Sequence, residues 1–285
     1  MSEAITISND TKVQEESKFY TYDQLQAVIK RGGKGLPLNK VYDPKVFWDS
    51  MGEKFYKAFD RPEKCGFGIE FFIDRIKQLL PISSILEVGC GFGRLGPFLL
   101  QSKMCEKYTG VDISDSILKC SDEYLDPSVK EDADVKTLEG FFSGGAISDE
   151  SKHLVGQEIQ TVIESLKKKS IEKLTKVKPD YRSLINLISG DARKLPFDSD
   201  SFDCVITSEV FQHLSPEDVR DACMEILRVT KGPAVLLERW AFPGEHSEPH
   251  VWSHNFNEIF SDLGVDVLQI TTVSQGLQGV VVRKR

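Results

Sequence analysis

Several things are missing from this chain, and each absence narrows its possible roles. Across 285 residues no apolar run approaches the roughly eighteen residues that a membrane-spanning helix needs. The start, Met1-Ser-Glu-Ala-Ile-Thr, has neither a basic segment nor an apolar core, so no secretory leader is expected. Six cysteines (Cys65, Cys90, Cys105, Cys120, Cys204, Cys223) form no C-x-x-C pair and no small disulfide-scaffold spacing. A reducing, cytoplasmic compartment is therefore the expectation. Basic residues are outnumbered, 36 Lys and Arg against 44 Asp and Glu, giving a net charge of −8. That balance argues against a general nucleic-acid binder. With 40% hydrophobic residues, the length suits one globular domain with additions.

The most informative stretch is Ser84-Ile-Leu-Glu-Val-Gly-Cys-Gly-Phe-Gly-Arg-Leu-Gly-Pro. An apolar strand runs into alternating glycines Gly89, Gly91 and Gly93, then into a helix start. Glycine lets backbone approach a ligand closely, and a helix start offers unpaired N–H groups. Glu87 closes the strand, and a buried carboxylate needs a partner, which a cationic ligand group would supply. Gly91-Phe-Gly93-Arg-Leu-Gly96 also fits the G-x-G-x-x-G dinucleotide fingerprint, with Asp112 at the expected offset of about twenty residues. Pyrophosphate is anionic, however, and Glu87 beside its cradle would repel it.

The spacing Glu87-x-Gly89-x-Gly91-x-Gly93 resembles the first motif of class I S-adenosylmethionine-dependent methyltransferases, of the type 11-like kind. Later motifs follow in that family's order: Tyr108-Thr-Gly-Val-Asp112, Leu187-Ile-Ser-Gly-Asp191-Ala192, and Leu195 through Phe202-Asp203 to Ser208-Glu209 and His213. The resemblance covers roughly residues 45–125 and 183–285. It implies S-adenosyl-L-methionine as cofactor, held by Glu87, Gly89, Cys90, Gly91, Gly93, Asp112, Ile113, Asp191, Ala192 and Ser208. Asp112 would take the ribose hydroxyls and Asp191 the adenine amine. His213 and Glu209 are the candidate catalytic residues.

From Pro81 onward strand and helix patterns alternate, which implies a mostly parallel sheet covered on both faces. Strands are expected near 84–89, 107–112, 185–190, 203–208 and 233–238. The last two strand patterns, from Val265 and from Leu277, are joined by a Ser-Gln-Gly turn too short for a parallel return. The expected fold is α/β and Rossmann-like, a doubly wound, mostly parallel seven-stranded sheet ending in an antiparallel hairpin. Dehydrogenase sheets normally end in parallel, a second argument against nicotinamide binding.

Residues 1–18 are polar and read as a disordered N-terminus. Residues 19–80 read as an N-terminal helical cap on a methyltransferase domain formed by 81–125 and 183–285. In 44–59, Phe47, Met51, Phe55 and Phe59 recur at helical spacing, an amphipathic stripe for packing on the sheet. Trp48 and Tyr56 lie off that stripe and are candidate covers of the cofactor or the substrate mouth. Residues 126–182 separate two strands by more than a crossover needs and read as a helical insertion, a lid or a surface for a protein partner. Its Lys167–Lys178 cluster reads as a solvated helix end.

His246, His250 and His254 recur every four residues, but Gly244 and Pro249 break any helix there and no cysteine accompanies them. No metal is expected. His250 and His254 are instead candidates to border the acceptor pocket, with Asn255 or Ser253 capping the next helix. No Asn-Pro-Pro-Tyr element follows the fourth strand, which weakens an exocyclic-amine or glutamine acceptor. A small metabolite, lipid head group or sugar is the expected acceptor, oxygen ahead of nitrogen. A non-catalytic S-adenosylmethionine sensor or complex subunit uses the same binding residues and is the alternative.

Overall fold

The computed structural model describes residues 18–30, 40–60, 66–126, 180–239, 250–274 and 276–285. Expectations for 1–17, for nearly all of the 126–182 insertion with its lysine cluster, and for His246 lie outside them. Seven strands form one sheet: β1 (Ser84–Val88), β2 (Lys107–Asp112), β3 (Ile185–Ser189), β4 (Cys204–Ser208), β5 (Pro233–Arg239), β6 (Asp266–Ser274) and β7 (Leu277–Arg283). Their order is β3-β2-β1-β4-β5-β7-β6, with β7 antiparallel to both neighbours and the other pairs parallel. Every strand expected from the sequence is present within a residue or so, and the final hairpin is antiparallel.

Strand alternation sends successive side chains to opposite faces, and that divides the core. Leu86, Val88, Val205, Leu236, Val280 and Val282 pack with α7 (Val219–Val229) and α8 (Phe256–Asp262). Ile85, Ile206, Val235, Leu237 and Val281 pack with α3 (Gly66–Lys77) and α4 (Gly96–Gln101). The remaining helices, α1 (Tyr22–Lys30), α2 (Pro44–Phe59), α5 (Asp115–Leu118) and α6 (Ser121–Tyr124), complete the described set. None of the described helices is long and apolar enough to cross a membrane.

The start of α2 follows from its sequence: the Asp43 side chain accepts the Val46 N–H at 2.9 Å, and Pro44 opens the first turn. The expected stripe does not continue along it. Gly52 adopts φ 40° and ψ −122°, which kinks the helix and changes its phase. Phe47 and Tyr56 are buried, whereas Phe55 turns toward a cleft. Tyr56 joins Phe92, Ile117 and Tyr124 in an apolar cluster beneath α2, with Trp48 and Phe55 at its margin. The cap thus sits over the carboxyl end of the sheet, where β1 and β4 lie side by side and the strand order reverses. That switch point is where open α/β sheets hold their ligands.

Candidate functional site

A cleft opens at this switch point. Its floor is Gly89, Gly91, Asp112, Ile113, Gly190, Asp191, Ala192 and Ser208; Trp48 and Phe55 of α2 form one wall, Glu209, Val210, His213 and Leu214 another. Most residues expected to hold a cofactor are therefore together.

The glycine loop is built by backbone bonds and close packing. Gly89 and Cys90 both donate to the Val111 carbonyl, at 2.7 and 3.1 Å. Gly89 has φ +75°, and a Cβ there would lie 2.2 Å from Val210, so only glycine fits. Asp112 holds the opposite side. Its Oδ2 accepts the Gly91 N–H at 2.8 Å and its Oδ1 accepts the Ser114 N–H at 2.9 Å. Each oxygen retains a lone pair for a ligand hydroxyl. Burial raises the carboxyl pKa, while the two backbone donors oppose that rise.

Three expected cofactor residues act from behind the cleft surface. Glu87 faces away from it. Being two residues from Ile85, it shares the α3/α4 face of β1, is 3% exposed, and accepts the Tyr108 hydroxyl. Burial pushes its pKa up to about 8, against that hydroxyl. Its partner is thus inside the protein rather than a ligand cation. The Cys90 side chain is buried against Gly110, and Gly93 packs on Leu187; neither lines the cleft.

Asp191 lines the cleft, but Arg193 engages it, with Nη2 at 2.6 Å from Oδ2 and Nε at 3.0 Å from Oδ1. Arg193 also approaches Asp218 at 3.3 Å. Burial raises the Asp191 carboxyl, yet the Arg193 guanidinium outweighs it and holds the pKa below its usual value.

His213 sits on a 3-10 turn, Phe211–His213. Its Nδ1 lies 3.1 Å from the His250 carbonyl oxygen, which can only accept, so Nδ1 carries the hydrogen. Nε2 then accepts from the Gln212 amide at 3.3 Å, which also donates to the Glu209 carbonyl at 3.1 Å. Burial pushes the His213 pKa down to about 3, and nearby His250 adds to this, so the ring is neutral at physiological pH. The Trp48 ring meets it edge-on at 4.8 Å.

Three expected acceptor residues take other places. Tyr56 is in the core, as above. His254 is buried, and its Nε2 hydrogen is shared by the Phe211 and Leu214 carbonyls at 3.0 and 3.1 Å. His250 is 6% exposed, stacks on His213 and packs on Phe47 at 4.4 Å. Both imidazoles pack against the turn that carries His213, and neither lines the cleft. Asn255 caps α8 by accepting the Glu258 N–H at 3.2 Å.

Two acidic residues of the site went unread in the sequence. Glu238, fully buried at the end of β5, accepts the Thr207 hydroxyl at 2.7 Å and the Phe211 and Val210 N–H groups at 3.0 and 3.3 Å. It fixes the Glu209–His213 segment, and an acid closing the apolar run Val235-Leu-Leu-Glu238 was its signal. Asp49 accepts the Ser114 hydroxyl at 3.0 Å, and Lys45 joins Asp49 to Asp115 at 2.8 and 2.7 Å. These bonds clamp α2 to the loop after Asp112. Nothing but their helical spacing marked them.

Residues 148–237 match a family model described as a methyltransferase domain. The glycine motif lies before that segment. Among solved structures, a protein of Pyrococcus horikoshii OT3 is 18% identical, with 81% of this chain and 99% of that one covered and a TM-score of 0.51. The magnesium protoporphyrin IX methyltransferase of Synechocystis PCC 6803, solved with S-adenosylmethionine bound, is 13% identical, covering 86% and 99%, with a TM-score of 0.53. No curated protein matches the chain. The family match covers about a third of the chain, and the likeness to these solved structures is one of fold.

Proposed function

We propose that this protein binds S-adenosylmethionine in the cleft and transfers its methyl group to an oxygen or nitrogen of a small-molecule, lipid or sugar acceptor. Asp112 carries the reading. A cleft-lining carboxylate that spends one lone pair of Oδ2 on the Gly91 amide and one of Oδ1 on the Ser114 amide, keeping the others for a ligand, suits a vicinal diol. Gly91, at φ +58°, would carry a Cβ 3.1 Å from Phe55 across the cleft, and its lack of a side chain suits a ligand lying directly on backbone. Ile113, Ala192 and Leu214 offer apolar walls for a flat ring. Because Arg193 occupies the Asp191 carboxylate, the backbone at Asp191–Ala192 is better placed than that side chain to meet the adenine. Dinucleotide binding is disfavoured by the antiparallel hairpin and by the lack of an uncommitted basic side chain among the described residues lining the cleft.

S-adenosylmethionine, when bound, supplies an activated sulfonium methyl. What remains for the chain is to align an acceptor, which can contribute up to about 7–11 kcal/mol. Trp48 and Phe55 restrict the acceptor from the cap side, and the Glu209–His213 segment restricts it from the β4 side. His213 is neutral and pinned through both nitrogens, so it positions rather than ionises. Calorimetric titration with S-adenosylmethionine and with NAD tests the cofactor. Tritiated-methyl transfer into fractionated metabolite pools tests turnover. Saturable binding of S-adenosylmethionine but not NAD, with label entering a pool, is expected. Binding without transfer into any pool would favour the sensor alternative.

A further inference from the structure

Glu209 combines three features found together nowhere else among the described residues. Its φ is +56°, and the other two non-glycine residues with positive φ, Lys103 and Asp200, line no described cleft. A side chain held in this region costs free energy, and such strain gathers at working sites. Its carboxylate lines the cleft and makes no hydrogen bond or ion pair with any described residue. The strain is enforced from behind, because the Glu209 N–H donates to Leu237 at 2.7 Å while Glu238 anchors the next two amides. A buried scaffold therefore holds a solvent-reached carboxylate in the wall of a concave site.

The surrounding charges favour one kind of acceptor. Arg193 is committed to Asp191 and Asp218. Lys45, at the neighbouring mouth, is committed to Asp49 and Asp115. Arg94 and Arg239 act on Glu209 electrostatically, but neither lines the cleft. An anionic acceptor would find no uncommitted cation among the described lining residues. A cationic one would find Glu209, with Trp48 and Phe55 lining the same cleft. Carboxylate and aromatic rings together attract organic ammonium groups.

Building on the methyltransferase reading, we propose that the acceptor is an amine carried on an apolar body, and that Glu209 binds its ammonium group and takes its proton. The nitrogen loses a proton to the Glu209 carboxylate, and its freed electron pair forms the N–C bond. The C–S bond breaks with its pair going to sulfur, and the proton then passes from Glu209 to water. Enclosure by the cleft raises the Glu209 pKa, which favours that transfer. This reverses the expected preference for oxygen.

The test incubates the full chain with 13C-methyl-labelled S-adenosylmethionine and a cell extract divided on ion exchangers into basic, neutral and acidic pools. N-methyl and O-methyl products are separated by carbon shift. Label in the basic pool as N-methyl is expected. Glu209→Gln should lower kcat/KM for that amine by at least about 100-fold, with S-adenosylmethionine affinity and melting temperature unchanged and partial rescue by Glu209→Asp. Label only in the neutral or acidic pool, or only as O-methyl, overturns the amine while leaving the methyltransferase. Label in no pool overturns the reading beneath it. Loss of S-adenosylmethionine binding in Glu209→Gln would assign the carboxylate to the cofactor and overturn the proposal.

Discussion

Replacing Asp112 by alanine tests the cofactor half of the site most directly. The carboxylate has two tasks that the substitution removes together. It accepts the Gly91 and Ser114 N–H groups at 2.8 and 2.9 Å, and it presents its remaining lone pairs to the cleft. Two hydrogen bonds from ribose hydroxyls to a charged acceptor amount to about 1.5–3 kcal/mol each. At about 1.4 kcal/mol per decade, their loss weakens S-adenosylmethionine binding by about 10²–10⁴-fold. The loop amides are less costly to release, since water at the cleft can replace the lost acceptor. Asp112→Asn sharpens the comparison, because its amide must turn an N–H toward either Gly91 or Ser114. It should lose affinity on a similar scale despite its matched shape. Calorimetric titration measures affinity, and thermal melts show that the fold persists. Unchanged affinity in a folded Asp112→Ala protein would refute the ribose role.

Gly89→Ala should abolish cofactor binding. Pairing it with Val210→Gly should relieve the clash but leave the φ +75° strain, so calorimetry should show only partial recovery. Glu238→Ala leaves the Thr207 hydroxyl and two amides without their acceptor. Urea unfolding should show a loss of about 3 kcal/mol or more; a loss under about 1 kcal/mol would mean water replaces it freely. Stability should also depend on pH with two opposing limbs. His213 and His250, with folded pKa values lowered to about 3 and 4 from 6.5, leave the unfolded state binding more protons below pH 6.5. They favour folding less as pH falls. Glu87 and Glu238, raised to about 8 from 4.5, make the folded state bind more protons between those values. Their contribution is full below pH 4.5 and declines as pH rises to 8. The limbs oppose each other between pH 4.5 and 6.5, so melting temperature should be flattest there and fall on both sides. Glu87→Gln should shallow the alkaline limb; an unaltered limb would remove Glu87 as its source.

The sheet was legible because its signals are local. Short apolar runs in the central strands, and the glycine-bearing turn after β1, depend on neighbours within a few positions. The cofactor floor shares that property, since Gly89, Asp112, Asp191 and Ser208 each sit at or just past a strand end. Glu87 shows where local reading stops. Its type and position suggested a ligand cation, but strand alternation turns it to the α3/α4 face, where Tyr108, two positions before its register partner Gly110, meets it.

The acceptor side depends on contacts between segments far apart in the chain. Tyr56 went into the core because one residue, Gly52, breaks the phase of α2, and periodicity counted across a kink assigns the wrong face. The spacing of His250 and His254 points to the acceptor pocket, yet the His250 backbone carbonyl and the His254 ring hold the Phe211–Leu214 turn, about forty residues earlier. Glu238 belongs to the same construction, reaching across from β5 to hold Val210 and Phe211. These groups meet only after β4 and β5 have paired and the 250–254 segment has returned over the turn. The buried histidines and Glu238 thus fix a backbone, and that backbone presents Glu209 and His213. A single sequence displays the presented residues and the braces as the same residue types. The physical distinction lies in where their hydrogen bonds end: those of His254 and Glu238 close within the protein, whereas the Glu209 carboxylate remains open to the cleft.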